Sequence, residues 1–99
     1  MESDDLTLDE LQVHGNCALF LKDYEDAIGK FTSALDIRDE VIDNTRMVSL
    51  LCNRADAQYQ LSQKAGISKS EREHLLQSSL GDGQSTIKLD PSHRMGYYR

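Results

Sequence analysis

Histidine and cysteine are the residues whose chemistry would be easiest to recognise in this chain. His14 and Cys17 stand one helical turn apart, and Cys52 is the second thiol. A metal ion needs three or four converging ligands, and two on one turn with a distant third do not supply them. They read instead as a helix-contact histidine and core thiols. Cys52 and His74 lack a third group to orient them as nucleophile and base. Carboxylates are many, but they lie along helix faces and not as an acid–base pair. Gly81 and Gly83 form a G-x-G that follows no strand and lacks the later glycine of a phosphate loop. Tyr97 and Tyr98 have rings that stack on bases, yet a net charge of −6 opposes a phosphate backbone, so packing on a helix pair suits them better. No catalytic residue, metal or cofactor is assigned, and an enzyme is not expected. Function must then lie in a surface.

The elements that build that surface can be read from periodicity. With 99 residues, 38% hydrophobic and 28% charged, no Trp and one Pro, the chain suits one small, thin helical domain. Residues 1–7 are an acidic tail, expected to be flexible. Thr7 and Glu10 make a capping box, and Leu8, Leu11, Gly15 and Ala18 share one face of a helix ending near Lys22. Asp23 caps a second helix, on which Tyr24, Ala27, Ile28, Phe31, Ala34 and Leu35 form a stripe. Gly29, mid-helix, costs up to about 1 kcal/mol relative to Ala and is best tolerated where a neighbouring helix comes close. The run Asp36–Glu40 faces water. Asp43-Asn44-Thr45 separates this helix from a third, reaching Ser62. Its apolar members are Met47, Val48, Leu50, Leu51, Ala55, Tyr59 and Leu61. A polar stretch around Gly66 follows. Ser70 with Glu73 then forms a capping-box pattern for a fourth helix, with Leu76, Leu80, Gly83 and Ile87 on its stripe. Pro91 ends it, and a fifth helix begins after Ser92. Nothing alternates with period two, so the expected class is all-α.

The acidic N-terminus is the reverse of a secretory signal or transit peptide, and no apolar run approaches the roughly 20 residues of a membrane span. Two cysteines make no disulfide framework. A cytoplasmic protein with reduced thiols is expected, with no membrane and no nucleic-acid partner.

Gly15 and Ala27, followed by Phe31 and Ala34, give a small–small–aromatic–small spacing across a helix–turn–helix. This stretch, GNCALFLKDYEDAIGKFTSAL, resembles the tetratricopeptide repeat. Asn53-Arg54-Ala55 with Tyr59 and Leu61 resembles the first helix of a second repeat, SLGDGQSTIKLDPSH its second helix, and MGYYR the opening of a third. The resemblance covers roughly 8–99 and implies antiparallel helix pairs stacked in a right-handed solenoid of about two and a half repeats. Repeat one would span 8–40, repeat two 45–90 with an insertion near 63–73, and the start of repeat three 92–99. The interval from Ala34 to Ala55 is about six residues longer than the repeat register allows, which implies an extended helix at that joint. Ser79, Gly83 and Thr86 replace commoner residues, so the second repeat should be looser. Fewer than about three repeats and no capping helix imply either a piece of a longer protein or self-association.

In such repeats the first helices line a concave groove. The positions that correspond are Asp9, Gln12, Val13, Asn16, Leu19 and Phe20, then Ser49, Cys52, Asn53, Asp56 and Tyr59, then Met95, Tyr98 and Arg99. The wording of the motifs resembles the co-chaperone branch. There, two Lys, two Asn and one Arg clamp the C-terminal carboxylate and an acidic side chain of a heat-shock chaperone tail by charge-assisted hydrogen bonds. The clamp falls on Gln12, Asn16, Asn53, Met95 and Arg99. Gln12 and Met95 stand where the lysines would be, and Met95 cannot donate a hydrogen bond. Binding of an acidic tail should therefore be weakened. Two functions follow from the resemblance. One is a protein-interaction adaptor holding an extended peptide such as a chaperone tail on Gln12, Asn16, Phe20, Asn53, Tyr59, Met95 and Arg99. The other is a scaffold segment of a multiprotein complex that does without the clamp.

Overall fold

The computed structural model describes residues 6–37 and 41–89. They form four helices and, among the described residues, no strand: α1 (Leu8–Phe20), α2 (Tyr24–Leu35), α3 (Asn44–Ser62) and α4 (Lys69–Leu89). The all-α reading is therefore observed. Each helix packs chiefly on its neighbours in sequence, and α1 also touches α3. The result is a slab of 36 × 35 × 21 Å.

The first two helices form where their caps predict. Thr7 Oγ1 accepts from the Glu10 N–H at 3.1 Å, and Glu10 Oε1 accepts from the Thr7 N–H at 2.9 Å. Both orphan donors of the first turn are satisfied reciprocally. At the other end α1 stops at Phe20, two residues before Lys22. Lys22 adopts φ 66°, its N–H donates to Leu19 O at 3.0 Å, and the Asp23 N–H donates to Ala18 O at 2.8 Å. This is a Schellman closure with lysine in the place usually taken by glycine. Asp23 at once becomes the cap of α2, accepting from the Asp26 N–H at 3.3 Å. The tight turn lets the small faces meet. Gly15 lies against the ring of Phe31, which with Ala27 and Ala34 is wholly buried.

Gly29 has no such purpose. Nothing lies within 4 Å of a Cβ placed on it, so the close helix approach expected there is absent. Gly29→Ala should stabilise the fold by about 0.5–1 kcal/mol in urea unfolding, since only helix propensity changes.

The joint after α2 also differs from the sequence reading. An extended helix is expected at this joint, but α2 ends at Leu35 and the described residues 36–37 and 41–43 are not helical. The last turn tightens, with the Asp36 N–H on Ser33 O and Thr32 O and the Ile37 N–H on Ala34 O. Ile37 and Ile42 then tuck against the core from either side of the joint. Two apolar anchors in an otherwise charged stretch bring the chain back to the core, and a continued helix would carry them away from it.

Asp43 caps α3 by accepting from the Arg46 N–H at 2.8 Å. Within the stretch 63–73, residues 63–68 form the expected loop, and α4 already starts at Lys69. Its cap is Ser68, whose Oγ accepts from the Glu71 N–H at 3.1 Å, and not Ser70. Arg72 explains the choice: its Nε donates to Ser62 O at 2.8 Å and so satisfies a carbonyl at the end of α3. Gly66, at φ 88°, makes the turn between the helices.

The buried face of α4 is rotated from the expected stripe. Leu75, Asp82, Gly83 and Thr86 are buried, while Leu76 and Leu80 are 38% and 58% exposed. Polar contacts set this rotation. Ser79 Oγ donates to Ala55 O at 2.8 Å, and Asp82 holds Arg54.

Candidate functional site

Helices α1 and α3 lie side by side and in register. Arg46 Nη1 donates to Asp9 Oδ1 at 2.6 Å, and Asn53 Nδ2 donates to Asn16 Oδ1 at 3.0 Å. The two bridges have the same sequence separation, 37. They also sit two helical turns apart on both helices, as parallel neighbours require. The Thr7–Glu10 capping box and the α1–α2 turn fix where α1 starts and how it is rotated. The packing of α2 between the two helices sets the offset.

Along this seam lie most of the residues singled out from sequence. Gln12 and Asn53 are half-buried, and Asn16 is exposed. Val13, Phe20 and Tyr59 are 56%, 85% and 48% exposed. Apolar side chains this open, flanking an amide pair, form a face with both contact area and hydrogen-bonding capacity. Asp56 is half-buried, one turn beyond Asn53, and its Oδ1 accepts from Gln60 Nε2 at 3.4 Å. Ser49 is exposed and Leu19 half-buried. Cys52 departs from the groove-facing position expected of it: it is buried, because its place on α3 turns it into the core. Met95, Tyr98 and Arg99 lie outside the described residues, as does the start of the expected third repeat.

Asn16 and Asn53 are coupled to each other. Asn53 commits one amide N–H to Asn16 Oδ1, which leaves both N–H donors of the exposed Asn16 amide outside that bond.

The thiols and histidine do not converge. Cys17 is exposed, against the expectation of a core thiol, and Cys52 is buried. His14 and Cys17 line a shallow depression of about 300 Å³ with Leu21, Asp23, Asp26 and Lys30. Lys30 and Asp26 neutralise each other there at 2.9 Å. Among the described residues no group of three or more His, Cys, Asp or Glu is placed to hold a metal ion. No helix among them is long and apolar enough to cross a membrane.

Sequence reasoning missed the strongest polar contact of the fold. Arg54 Nε and Nη2 donate to the two carboxylate oxygens of Asp82 at 2.7 and 2.8 Å, and Nη1 donates to Thr32 Oγ1 at 3.2 Å. One guanidinium thus joins α2, α3 and α4. Its pKa is raised, first by the hydrogen bond to Asp82, against the opposing effect of burial, with further attraction from Asp82 and Asp36. A raised basic pKa adds stability that is complete below the ordinary arginine range and is lost only above it. The signal for this pair was a carboxylate flanked by two glycines within a helix that has few large apolar residues.

Comparison with protein-family models, with curated proteins and with solved structures finds no match.

Proposed function

We propose that this chain is a protein-interaction module without catalytic activity, a tetratricopeptide-type stack that holds an extended peptide across α1 and α3. The observation that carries this reading is the register of the two bridges between those helices. In this reading Gln12, Val13, Asn16 and Phe20 of α1 and Asn53 and Tyr59 of α3 serve one face, and a face held by two bridges lowers the ordering cost of binding an extended chain. Helix pairs that contact mainly their sequence neighbours also suit a repeat stack. Two cysteines in so small a domain, too few for a disulfide framework, suit a reducing, cytoplasmic setting.

Two forms of the reading differ in the ligand. In the co-chaperone-like form, the exposed amide of Asn16 and the half-buried Gln12 donate to the terminal carboxylate of a heat-shock chaperone tail. In the scaffold form, the face engages a segment within a partner and no terminal carboxylate is needed. The Asn16–Asn53 hydrogen bond favours the scaffold form, because it takes one of the two amide N–H groups of Asn53.

Calorimetric titration with acidic peptides, as free acids and as amides at two salt concentrations, separates the forms. The scaffold form expects free acid and amide to behave alike, and Asn53→Ala to change both equally. Tight binding of the free acid that is lost on amidation and in Asn53→Ala would select the chaperone-tail form. Failure of these peptides and of the lysine peptide described below would overturn the interaction reading.

A further inference from the structure

Building on the peptide-face reading, we infer that the preferred ligand of α1 and α3 is an apolar peptide segment carrying a basic residue. Its lysine or arginine side chain seats on Asp56 between Phe20 and Tyr59.

The charges on the face lead to this chemistry. Asp9 and Arg46 neutralise one another at 2.6 Å at one end of the seam. Asp56 lies toward the other end. Its only bond among the described residues is the long one from Gln60, and no cation there pairs with it. Among the described residues the uncompensated charge of the face is thus negative. It repels an acidic tail and attracts a cation, over a distance limited by the Debye length of roughly 10 Å.

The aromatic residues sharpen the choice. With Asn16 opposite Asn53, one turn further along places Leu19 and Phe20 level with Asp56 and Ala57. Tyr59 follows Asp56 by three residues and so continues the same stripe. Phe20 and Tyr59 are both open to solvent. A half-buried carboxylate level with one open ring and a turn before another can bind an ammonium or guanidinium by charge and by the ring faces together. Val13, nearer the middle of the seam, offers an apolar contact to the rest of the segment. Lys22, in the turn beyond Phe20, forms no ion pair with Asp56.

The test uses a roughly ten-residue extended peptide, capped at both ends, with one lysine set among leucines and serines. A second peptide carries norleucine in place of the lysine. The wild-type chain should bind the lysine peptide about fivefold more tightly than the norleucine peptide. Asp56→Asn should erase that preference without changing the norleucine affinity, a coupling that loss of structure would not produce. Raising salt from about 50 to about 300 mM should shrink the preference. Equal binding of the two peptides, or a lysine preference that survives Asp56→Asn, would overturn the inference and leave the peptide face standing. A tighter fit of the acidic free-acid peptide would overturn it in favour of a chain terminus. Failure of all the peptides would overturn the face itself.

Discussion

Asp82→Ala should cost about 3–5 kcal/mol in reversible urea unfolding, a large part of the stability of so small a domain. The reason is the state of Arg54 once its partner is gone. The Arg54 and Asp82 side chains are only 21% and 10% exposed, and the guanidinium makes three hydrogen bonds to two other helices. Removing the carboxylate leaves a charge that is largely out of water with only Thr32 to bond. Burying an uncompensated charge costs more than the pair contributes when intact. The same logic gives an opposite expectation for a double variant. Arg54→Met with Asp82→Leu removes both charges and should lie much closer to the wild type than either single change. If Asp82→Ala unfolds at the wild-type urea midpoint, the pair does not fix α4 against α3. Near-additive losses in the double variant would mean that shape matters there and charge does not.

Gly15→Ala should also destabilise, by about 1–3 kcal/mol, although alanine is the better helix former. Two effects oppose each other. Helix propensity favours the substitution by up to about 1 kcal/mol. Against it, the new methyl would stand 2.5 Å from Phe31 Cε1 and 2.8 Å from Cδ1. Phe31 cannot easily retreat, because its ring is fully buried together with Ala27 and Ala34. Overpacking should therefore win, unlike at Gly29, where the same change meets nothing and should stabilise. Thermal unfolding of both alanine variants makes the comparison. Phe31→Leu should partly rescue Gly15→Ala, by freeing the space where the methyl clashes. A stabilised Gly15→Ala would show that α1 and α2 can separate there at little cost.

The same contrast explains what could be read from the sequence. Gly15, Ala27, Phe31 and Ala34 announced a close helix pair because small and aromatic residues at those spacings have few other uses. Thr7 and Asp23 announced their caps because the bonds are local. The fourth helix was harder, because Ser68 with Glu71 and Ser70 with Glu73 present the same capping pattern. Arg72, reaching back to the end of α3, resolves it through a contact ten residues away. The rotation of α4 was misread for a related reason. Hydropathy assigns Leu76 and Leu80 to the core and Asp82 to the surface, and the pairing with Arg54 across 28 residues reverses this. The end of α2 depends on Ile37 and Ile42, single apolar residues too sparse to register as periodicity. On the candidate face, Asn16 and Asn53 were identified by resemblance, but their bond to each other follows only from the helix register. Asp56 stood among the groove positions, and its unpaired charge became visible only once Asp9 was found occupied by Arg46.

The claim that joins these observations is that α1 and α3 together form the binding face. Nuclear magnetic resonance of the isotope-labelled chain, titrated with the lysine peptide, tests it most directly. Backbone amides around Gln12, Asn16, Asn53 and Asp56, with the side-chain amides of the two asparagines, should shift together and saturate at one affinity. Shifts centred instead on the His14–Cys17 depression, or on the open Leu76 and Leu80 of α4, would contradict it.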